Sequence, residues 1–280
     1  MKIRIIADSA SDMSSEEHEN LTLIPMKIVF GETEYLDGVT LSQREFYEKL
    51  IASEELPTTS QATPYEFEKV IREAVEAGET PIVVTISSKL SGTYNSAKIA
   101  ACEFEEEVYV VDSENVCIGE RILVEYALRM VDAGKSAVEI VQEMERAKKD
   151  ICLIALLDTL EYLRRGGRIS NMTGIVGSML SVKPIVTAQD GMIETIGKAR
   201  GAKNANKLLT AKIEEAGEID YDMPYAVAYS GLDSSMLEGY LADHEEVWKL
   251  HTDQLEFRIA GSAIGTHAGP GAIAVAFFKK

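Results

Sequence analysis

Basic residues and long apolar runs are scarce in this chain of 280 residues. Its 28 lysines and arginines stand against 46 aspartates and glutamates, which gives a net charge of −18. Nucleic-acid binding needs a basic surface that neutralises phosphates, so this charge excludes a general nucleic-acid-binding protein. No apolar stretch reaches the roughly 18 residues of a membrane span, and Asp8 interrupts the only candidate signal-peptide core. We therefore expect a cytoplasmic protein without an integral membrane segment.

Cysteine and histidine are also rare, and their spacing matches no metal or disulfide pattern. The three cysteines form no CxxC pair, and we expect all of them to be buried and unreactive: Cys102, Cys117 and Cys152. The four histidines lack HExxH or paired metal spacing. Asp8, Asp12 and Asp112 follow predicted strands, where carboxylates could hold magnesium, but caps and turns explain them as well. We expect no metal ion.

The apolar periodicity predicts an α/β fold in the first half. The β-branched runs PIVVTI and EVYVVD suit strands of a parallel sheet, and LTLIPMKIVF (21–30) is expected to form one strand. Capping-box spacing at Ser42, Thr63 and Ser136 predicts helices between the strands. Alternating strands and helices predict an N-terminal αβα layered domain with a mostly parallel sheet over residues 1–150.

The pattern changes after residue 150. The runs ICLIALL, PYAVAYS and AIAVAFF are predicted strands, and Asp190-Gly191 is predicted to form the turn of a hairpin. Strand hairpins mixed with helices predict a C-terminal α+β domain with a largely antiparallel sheet over residues 151–280. We expect the ligand site in the cleft between the two domains.

The segment SSKLSGTYNSAK (87–98) follows a predicted buried strand and leads into a predicted helix. Ligands of open α/β sheets settle beyond the carboxyl ends of the strands, and free N–H groups at a helix start favour an anionic group. The segment is therefore a candidate ligand site. Ser91 as a simple helix N-cap is an equally good interpretation of these residues alone.

Eight short segments, in order, resemble the motifs of the DegV family. They are DSASDMS (8–14), TTSQATPYEF (58–67), SSKLSGTYNSAK (87–98), VVDSENV (110–116), LRRGGRIS (163–170), KPI (183–185), GKARGAK (197–203) and HAGPGA (267–272). The resemblance spans nearly the whole chain. It implies a bacterial, two-domain fatty-acid-binding protein, and some members present the acid to a separate fatty acid kinase that phosphorylates its carboxylate. The chain would then be a carrier and not an enzyme, with a fatty acid as ligand and no other cofactor.

The resemblance also implies the residues that hold the carboxylate. Motif by motif, they fall on Thr59 with its neighbour Ser60, on Ser91 with Gly92, and on His267. Ala62 departs from the family, since many relatives have proline there, and this affects loop stiffness more than the hydroxyls. A carboxylate that leaves water must regain hydrogen bonds. Hydroxyls and backbone N–H groups can donate them without a fixed cation, so the ligand can still be released.

The apolar tail needs a tunnel, for which the sequence offers several candidates. They are Ile28, Phe30, the segment 174–182, the methionines Met172 and Met179, and Ile264. Each of these is also an ordinary core residue by its pattern. Flexible methionines would suit acyl chains of different shape.

Positive charge is concentrated between residues 161 and 207, where eight basic residues stand against three acidic ones. A solvated face explains this clustering as well as a docking surface for an acidic partner or a phosphate-bearing ligand does. Arg200 corresponds to a candidate kinase contact of the family, although GKARGAK matches the family pattern closely only in its first half. The same basic stretch adds further candidates for docking the kinase: Arg164, Arg165 and Arg168.

Two other functions stay open at this point. A hydrolase or acyl transferase could use Ser91 as nucleophile and His267 as base, although no third orienting group is identifiable. A regulatory or scaffolding protein could use the basic stretch to bind a partner and hold its lipid only as a structural element.

Overall fold

The computed structural model describes residues 2–105, 107–169, 182–245 and 255–280. The strands are β1 (Lys2–Asp8), β2 (Leu21–Ile24), β3 (Lys27–Phe30), β4 (Thr33–Leu36), β5 (Thr58–Ser60), β6 (Glu79–Thr85), β7 (Tyr109–Asp112), β8 (Ile151–Leu156), β9 (Val182–Gln189), β10 (Met192–Arg200), β11 (Ala226–Tyr229), β12 (Phe257–Ile259) and β13 (Ile273–Phe278). The α-helices are α1 (Gln43–Ala52), α2 (Pro64–Glu76), α3 (Thr93–Ala101), α4 (Ile118–Asp132), α5 (Ala137–Ala147), α6 (Glu161–Gly166), α7 (Ala202–Ala216), α8 (Ser235–Asp243) and α9 (Ser262–Ala268).

The first sheet is parallel and covered on both faces. Its strand order is β2-β1-β6-β7, and every pair is parallel. Residues of α4 and α5 pack with Ile5 and Val84 on one face, while α2 and α3 pack with Ile6 and Val83 on the other. Burial on both faces explains why these strands are continuously apolar and not alternating.

The second sheet contains the strands that follow residue 150. Its order is β10-β9-β8-β13-β11-β12, and every pair is antiparallel except β11 with β12. Helices α7 and α8 cover one face, and α4 from the first half packs on the other. The predicted α/β class is confirmed, with a mostly parallel sheet first and a mostly antiparallel sheet second. The exact division into residues 1–150 and 151–280 stays a prediction.

A third, small sheet was not predicted. Strands β4, β3 and β5 form it, and both of its strand pairs are antiparallel. The prediction of a single strand over residues 21–30 was therefore wrong: β2 belongs to the parallel sheet and β3 to the small one. Pro25 separates them, since its nitrogen cannot donate a ladder hydrogen bond. The split places β5, which carries Thr59, beside β3.

The predicted helix starts are confirmed. Ser42, Thr63 and Ser136 each accept a hydrogen bond from the backbone N–H of the glutamate three positions on, and each glutamate bonds back to the cap residue. Pro64 occupies the first turn of α2, where its missing N–H has no intrahelical partner to lose. Local sequence thus specifies where these helices begin.

Of the three cysteines predicted to be buried, only Cys117 is fully so. All three are free thiols; Cys117 is buried and Cys152 is half-buried, but Cys102 is exposed. Cys102 is the C-cap residue that immediately follows α3. Among the described helices, none is both long and apolar enough to cross a membrane.

Gly265 allows α9 to approach α1 closely. A Cβ built on Gly265 would lie 2.5 Å from Cε1 of Phe46 and 2.7 Å from the hydroxyl oxygen of Tyr47. Both aromatic rings are fully buried, so neither can move aside without disturbing the core. The glycine therefore determines how closely the two helices pack.

We expect Gly265→Ala to destabilise the protein by about 1–3 kcal/mol, because overpacking outweighs the higher helix propensity of alanine. Gly239→Ala in α8 is the matched control, since a Cβ there meets no atom within 4 Å. We expect that control to stabilise by up to about 1 kcal/mol. Urea unfolding of both variants measures the difference, and stabilisation by both changes would contradict the close-packing argument.

Candidate functional site

An apolar cavity of about 360 Å³ lies between the loops at the carboxyl edge of the first sheet and one face of the second sheet. The loops contribute Ile86 and Leu90, the second sheet contributes Ala155 and Ala274, and α9 contributes Ala263. Both halves of the chain therefore line the same cavity. Its wall is mostly apolar. One polar region lies where β5, α6 and α9 meet the loop that follows β6, and Thr187, Tyr229 and Ser230 add polar atoms on the side of the second sheet.

Thr59 and His267 face each other in this polar region. Thr59 Oγ1 lies 3.0 Å from His267 Nε2, although the two residues are 208 positions apart in the chain. Strand β5 presents Thr59 and helix α9 presents His267, and both residues line the cavity. A hydroxyl paired with an imidazole can either donate or accept in this bond.

His267 is held neutral by its surroundings. Burial, with the nearby Arg168 guanidinium as a second cause, lowers the pKa of His267 to about 4. Its Nδ1 atom is buried and has no hydrogen-bond partner within the described residues. A Cβ built on Gly166 would lie 2.1 Å from that Nδ1, so the first glycine of the RRGG segment makes room for the ring. At neutral pH the ring therefore offers one donor and one acceptor without a charge.

Ser91 and Gly92 form the second part of the polar region. Ser91 Oγ lies 2.8 Å from Thr93 Oγ1 and accepts a hydrogen bond of 3.3 Å from the Thr93 N–H. Gly92 occupies the N-cap position of α3 and makes no side-chain cap bond, so Ser91 supports the helix start from one residue earlier. Ser91 also lines the cavity. The capping and ligand-binding interpretations of Ser91 are thus compatible.

Gln61 and Arg168 complete the polar region. Gln61 donates from Nε2 to Ser96 Oγ over 2.9 Å, and a Cβ on Gly92 would lie 1.9 Å from Gln61 Oε1. Arg168 donates from Nε to the Leu90 carbonyl over 3.3 Å, next to Ser91. These contacts connect the loop after β6 to β5 on one side and to the segment after α6 on the other.

A row of small side chains forms the apolar floor. Pairing registers place Val186, Ala155, Ala274 and Ala228 opposite one another across β9, β8, β13 and β11, and all four line the cavity. With adjacent strands about 4.8 Å apart, this row extends roughly 14 Å across the sheet. Larger side chains would fill the space above it. This alanine row is therefore the floor of a shallow channel suited to an extended apolar chain.

The structure brings most of the predicted head-group residues together. Thr59, Ser91, Gly92 and His267 all line the polar part of the cavity. Ser60 borders the cavity too, but it is exposed, and strand alternation directs its side chain opposite to that of Thr59.

The predicted docking residues divide into two groups. Arg164, Arg165 and Arg200 are exposed, as a docking surface requires, and the first two both pair with Glu161. Arg168 lies elsewhere: it is half-buried and lines the cavity beside His267. The sequence could not separate the four arginines, because the turn at Gly166 and Gly167 directs Arg168 inward.

Two contributors to the site escaped the sequence analysis. Gln61 stands within the TTSQ segment, so its position was visible, but nothing local indicated its contact with Ser96. The alanine row depends on the register between strands distant in sequence.

Of the predicted tail contacts, Ile264 lines the cavity, while Ile28 and Phe30 do not line its described part. Met172, Met179 and residues 174–181 lie outside the described residues.

The open alternatives find little support in the geometry. In the described part of the chain, no group of three or more histidine, cysteine, aspartate or glutamate side chains could hold a metal ion. Asp8, Asp12 and Asp112 instead accept hydrogen bonds from backbone N–H groups. Among the described contacts, His267 pairs with Thr59 and Ser91 pairs with Thr93, so the nucleophile and base of a hydrolase are not joined.

Comparison with known proteins agrees with this architecture. The family model described as "Uncharacterised protein, DegV family" matches residues 2–280. A DegV domain-containing protein of Caldanaerobacter subterraneus is 35% identical over 284 residues, covering 100% of this chain and 99% of the relative. This chain belongs to the DegV family. The expected family membership is thereby confirmed.

Solved structures of other DegV proteins share the whole fold. A fatty-acid-binding DegV family protein from Thermus thermophilus superimposes with a TM-score of 0.89 at 29% identity, covering 100% of both chains. A stearic acid-binding protein from Eubacterium ventriosum gives a TM-score of 0.86 at 25% identity, covering 99% of this chain and 98% of that one. Fatty-acid binding is thus described for proteins of the same fold and family.

The lowered pKa of His267 predicts a pH dependence of stability. The unfolded chain takes up a proton on this imidazole near pH 6.5, whereas the folded protein does so only near pH 4. The stabilisation from the neutral buried ring is therefore complete above about pH 7 and is lost as the pH falls from there towards 4.

His267→Asn removes this contribution. We expect the difference in unfolding free energy between wild type and variant to shrink between pH 7 and pH 4.5, as measured by urea unfolding at several pH values. Titrations of other groups, such as the buried aspartates, cancel in that difference. Parallel curves for the two proteins would show that His267 titrates normally.

Proposed function

We propose that this protein binds a long-chain fatty acid without transforming it. The carboxylate is held by Thr59, Ser91 and His267, and the tail lies along the alanine row. The observation that carries this proposal is one cavity with a long apolar floor and a polar region in which hydroxyls and a neutral imidazole lie beside the Arg168 guanidinium. The fatty-acid-binding relatives of the same fold support it.

The polar region suits a carboxylate that must later be released. Hydroxyls and a neutral imidazole can donate to carboxylate oxygens, and hydrogen bonds to a charged group are worth about 1.5–3 kcal/mol each. Arg168 adds positive potential nearby, but it donates to the backbone carbonyls of Leu90 and Gly166. The head group is thus oriented by uncharged donors and not locked in an ion pair.

The tail supplies most of the affinity. At about 0.8 kcal/mol per buried methylene, a chain of roughly 14 methylenes contributes on the order of 11 kcal/mol before ordering costs are subtracted. The apolar floor is therefore the main source of binding energy. The polar region determines which end of the molecule faces the exterior.

We further propose that the protein presents the bound acid to a separate fatty acid kinase in the bacterial cytoplasm. The exposed side chains of Arg164, Arg165 and Arg200 carry positive charge in a chain of net charge −18, and the first two also pair with Glu161. Exposed positive charge steers an acidic partner or favours its docking. Because no hydrogen bond joins Ser91 to His267 in the described structure, the hydrolase alternative has no comparable support.

Native mass spectrometry of the purified full chain tests fatty-acid binding. We expect a bound mass corresponding to a long-chain fatty acid, or uptake of added palmitate or oleate after delipidation. Protein that carries no lipid and takes up neither acid would contradict the proposed function.

Two variants separate the head group from the tail. Ser91→Ala removes one donor, and we expect about ten-fold weaker oleate binding. Ala274→Leu fills the channel, and we expect loss of oleate binding with retained octanoate binding and equal or higher thermal stability. Ser136→Ala, which removes the cap of α5 far from the cavity, is the stability control for Ser91→Ala. Equal effects of the two serine variants on oleate affinity would show that Ser91 acts only as a cap.

Charge reversal tests kinase presentation. We expect Arg200→Glu, and Arg164→Glu with Arg165→Glu, to lower the rate of acyl phosphate formation by a fatty acid kinase, most strongly at low salt. Oleate affinity should stay unchanged. Lys135→Glu alters an exposed charge outside the basic stretch and serves as the control. Unchanged rates in both arginine variants would remove the docking proposal and leave fatty-acid binding intact.

A further inference from the structure

Helix α9 forms part of the cavity wall and packs closely against α1. It has only seven residues, and Ala263, Ile264, His267 and Ala268 among them line the cavity. Its N-cap residue is Gly261, which offers no side chain for capping. The first N–H groups of a helix have no intrahelical acceptor, so their partners must come from elsewhere.

Two aspartates of the first half of the chain supply these acceptors. Asp37 Oδ1 accepts from the Ser262 N–H at 2.9 Å, and Asp37 Oδ2 accepts from the Ala263 N–H at 3.3 Å. Asp12 Oδ1 accepts from the Gly261 N–H at 2.8 Å. The two side chains thus accept from three consecutive N–H groups, at separations of 225 to 249 positions in the chain.

The same carboxylates are held from behind by donors of the first half. Ser9 donates from Oγ to Asp37 Oδ2 over 2.9 Å, and the Cys117 thiol donates to Asp12 Oδ2 over 3.0 Å. Asp37 is 5% exposed and Asp12 is 9% exposed, so water does not compete strongly for these bonds. These donors orient the acceptors towards the start of α9.

We propose that Asp37 and Asp12 are positioning residues for His267. They hold the start of α9 against the first half of the chain, so that the imidazole at the other end of the helix meets the Thr59 hydroxyl. Because the helix is short, a tilt at its first turn moves the ring relative to β5. This inference rests on the proposed fatty-acid site, but its structural part concerns only the Thr59–His267 contact.

The bonds from Asp12 and Asp37 to the N–H groups of residues 261–263 form a clamp on the start of α9. A pair of substitutions at Ser262 tests one of these bonds. Ser262→Pro removes the N–H that donates to Asp37, and proline is tolerated at the first helical position. Gly261 before it has φ −65° and ψ 176°, the extended conformation that a residue before proline prefers. Ser262→Ala keeps the N–H and is the reference. Asp37→Asn tests the acceptor, and Ser136→Ala again controls for a general loss of stability.

The readouts are the imidazole NMR signals of His267 and the affinity of the delipidated protein for oleate. Compared with Ser262→Ala, we expect both Ser262→Pro and Asp37→Asn to shift the His267 signals, to raise its pKa towards 6.5, and to weaken oleate binding about ten-fold. Ser136→Ala should lower thermal stability without moving the His267 signals.

The outcomes distinguish this inference from the proposed function. Folded Ser262→Pro and Asp37→Asn proteins whose His267 signals match those of Ser262→Ala would overturn the positioning role. If Asp37→Asn does not fold, the comparison of the two Ser262 variants alone decides. If the wild-type protein takes up no oleate, the proposed function fails, while the His267 signals still test the clamp.

Discussion

Backbone N–H groups bonded to buried carboxylates hold this site together. Asp8 accepts from Ala10 and from Ile86, and so ties the loop after β1 to the loop after β6, which leads to Ser91. Asp12 and Asp37 do the same for the start of α9. Burial raises the pKa of both Asp8 and Asp12 to about 7, while their hydrogen bonds act in the opposite direction. The hydrogen bonds thus offset part of the desolvation of these groups, and they do so only while the loops stay in place.

This arrangement separates the groups that organise the site from those that face the cavity. The buried carboxylates Asp8, Asp12 and Asp37 lie behind the wall and accept from backbone N–H groups, whereas the polar region presents hydroxyls, an amide, a neutral imidazole and the Arg168 guanidinium. Within the described lining, a carboxylate ligand therefore meets donors and no carboxylate side chain. The arrangement also explains why an acidic chain can accommodate an acidic ligand: the net charge of −18 is a sum over the whole chain, whereas the local composition of the wall decides binding.

The sequence predicted features that depend on neighbouring residues and missed those that depend on register. Capping boxes, the Asp190-Gly191 turn and the apolar strands are encoded within a few positions, and the structure contains them. Thr59, Ser91 and His267 could be named because each stands in a recognisable segment. The inward direction of Arg168 depends on the preceding turn, and the alanine row depends on four strands aligning. Neither follows from periodicity, since a small residue in a strand is compatible with any neighbour.

The contacts of Asp37 and Asp12 with α9 show the same limit more sharply. Asp-Gly at residues 37 and 38 has the composition of a turn, and Asp12 has that of a cap; both descriptions are locally correct. Their acceptors nevertheless serve donors more than 220 positions later. Local sequence specifies that an aspartate suits the position, but only the assembled fold determines which backbone N–H group donates to it.

The size of the cavity makes the occupant part of the energetics of the fold. Core residues that lose packing partners cost stability, and here Ala155, Ala228 and Ala274 border an open space in place of larger side chains. Whole domains are stable by only about 5–15 kcal/mol. The alanine row therefore lowers the stability of the folded protein unless something fills the space above it. A ligand that binds only the folded state returns that stability through its own affinity. The small residues of the floor thus keep the channel open. The buried carboxylates fix the wall, so that it does not collapse into the channel.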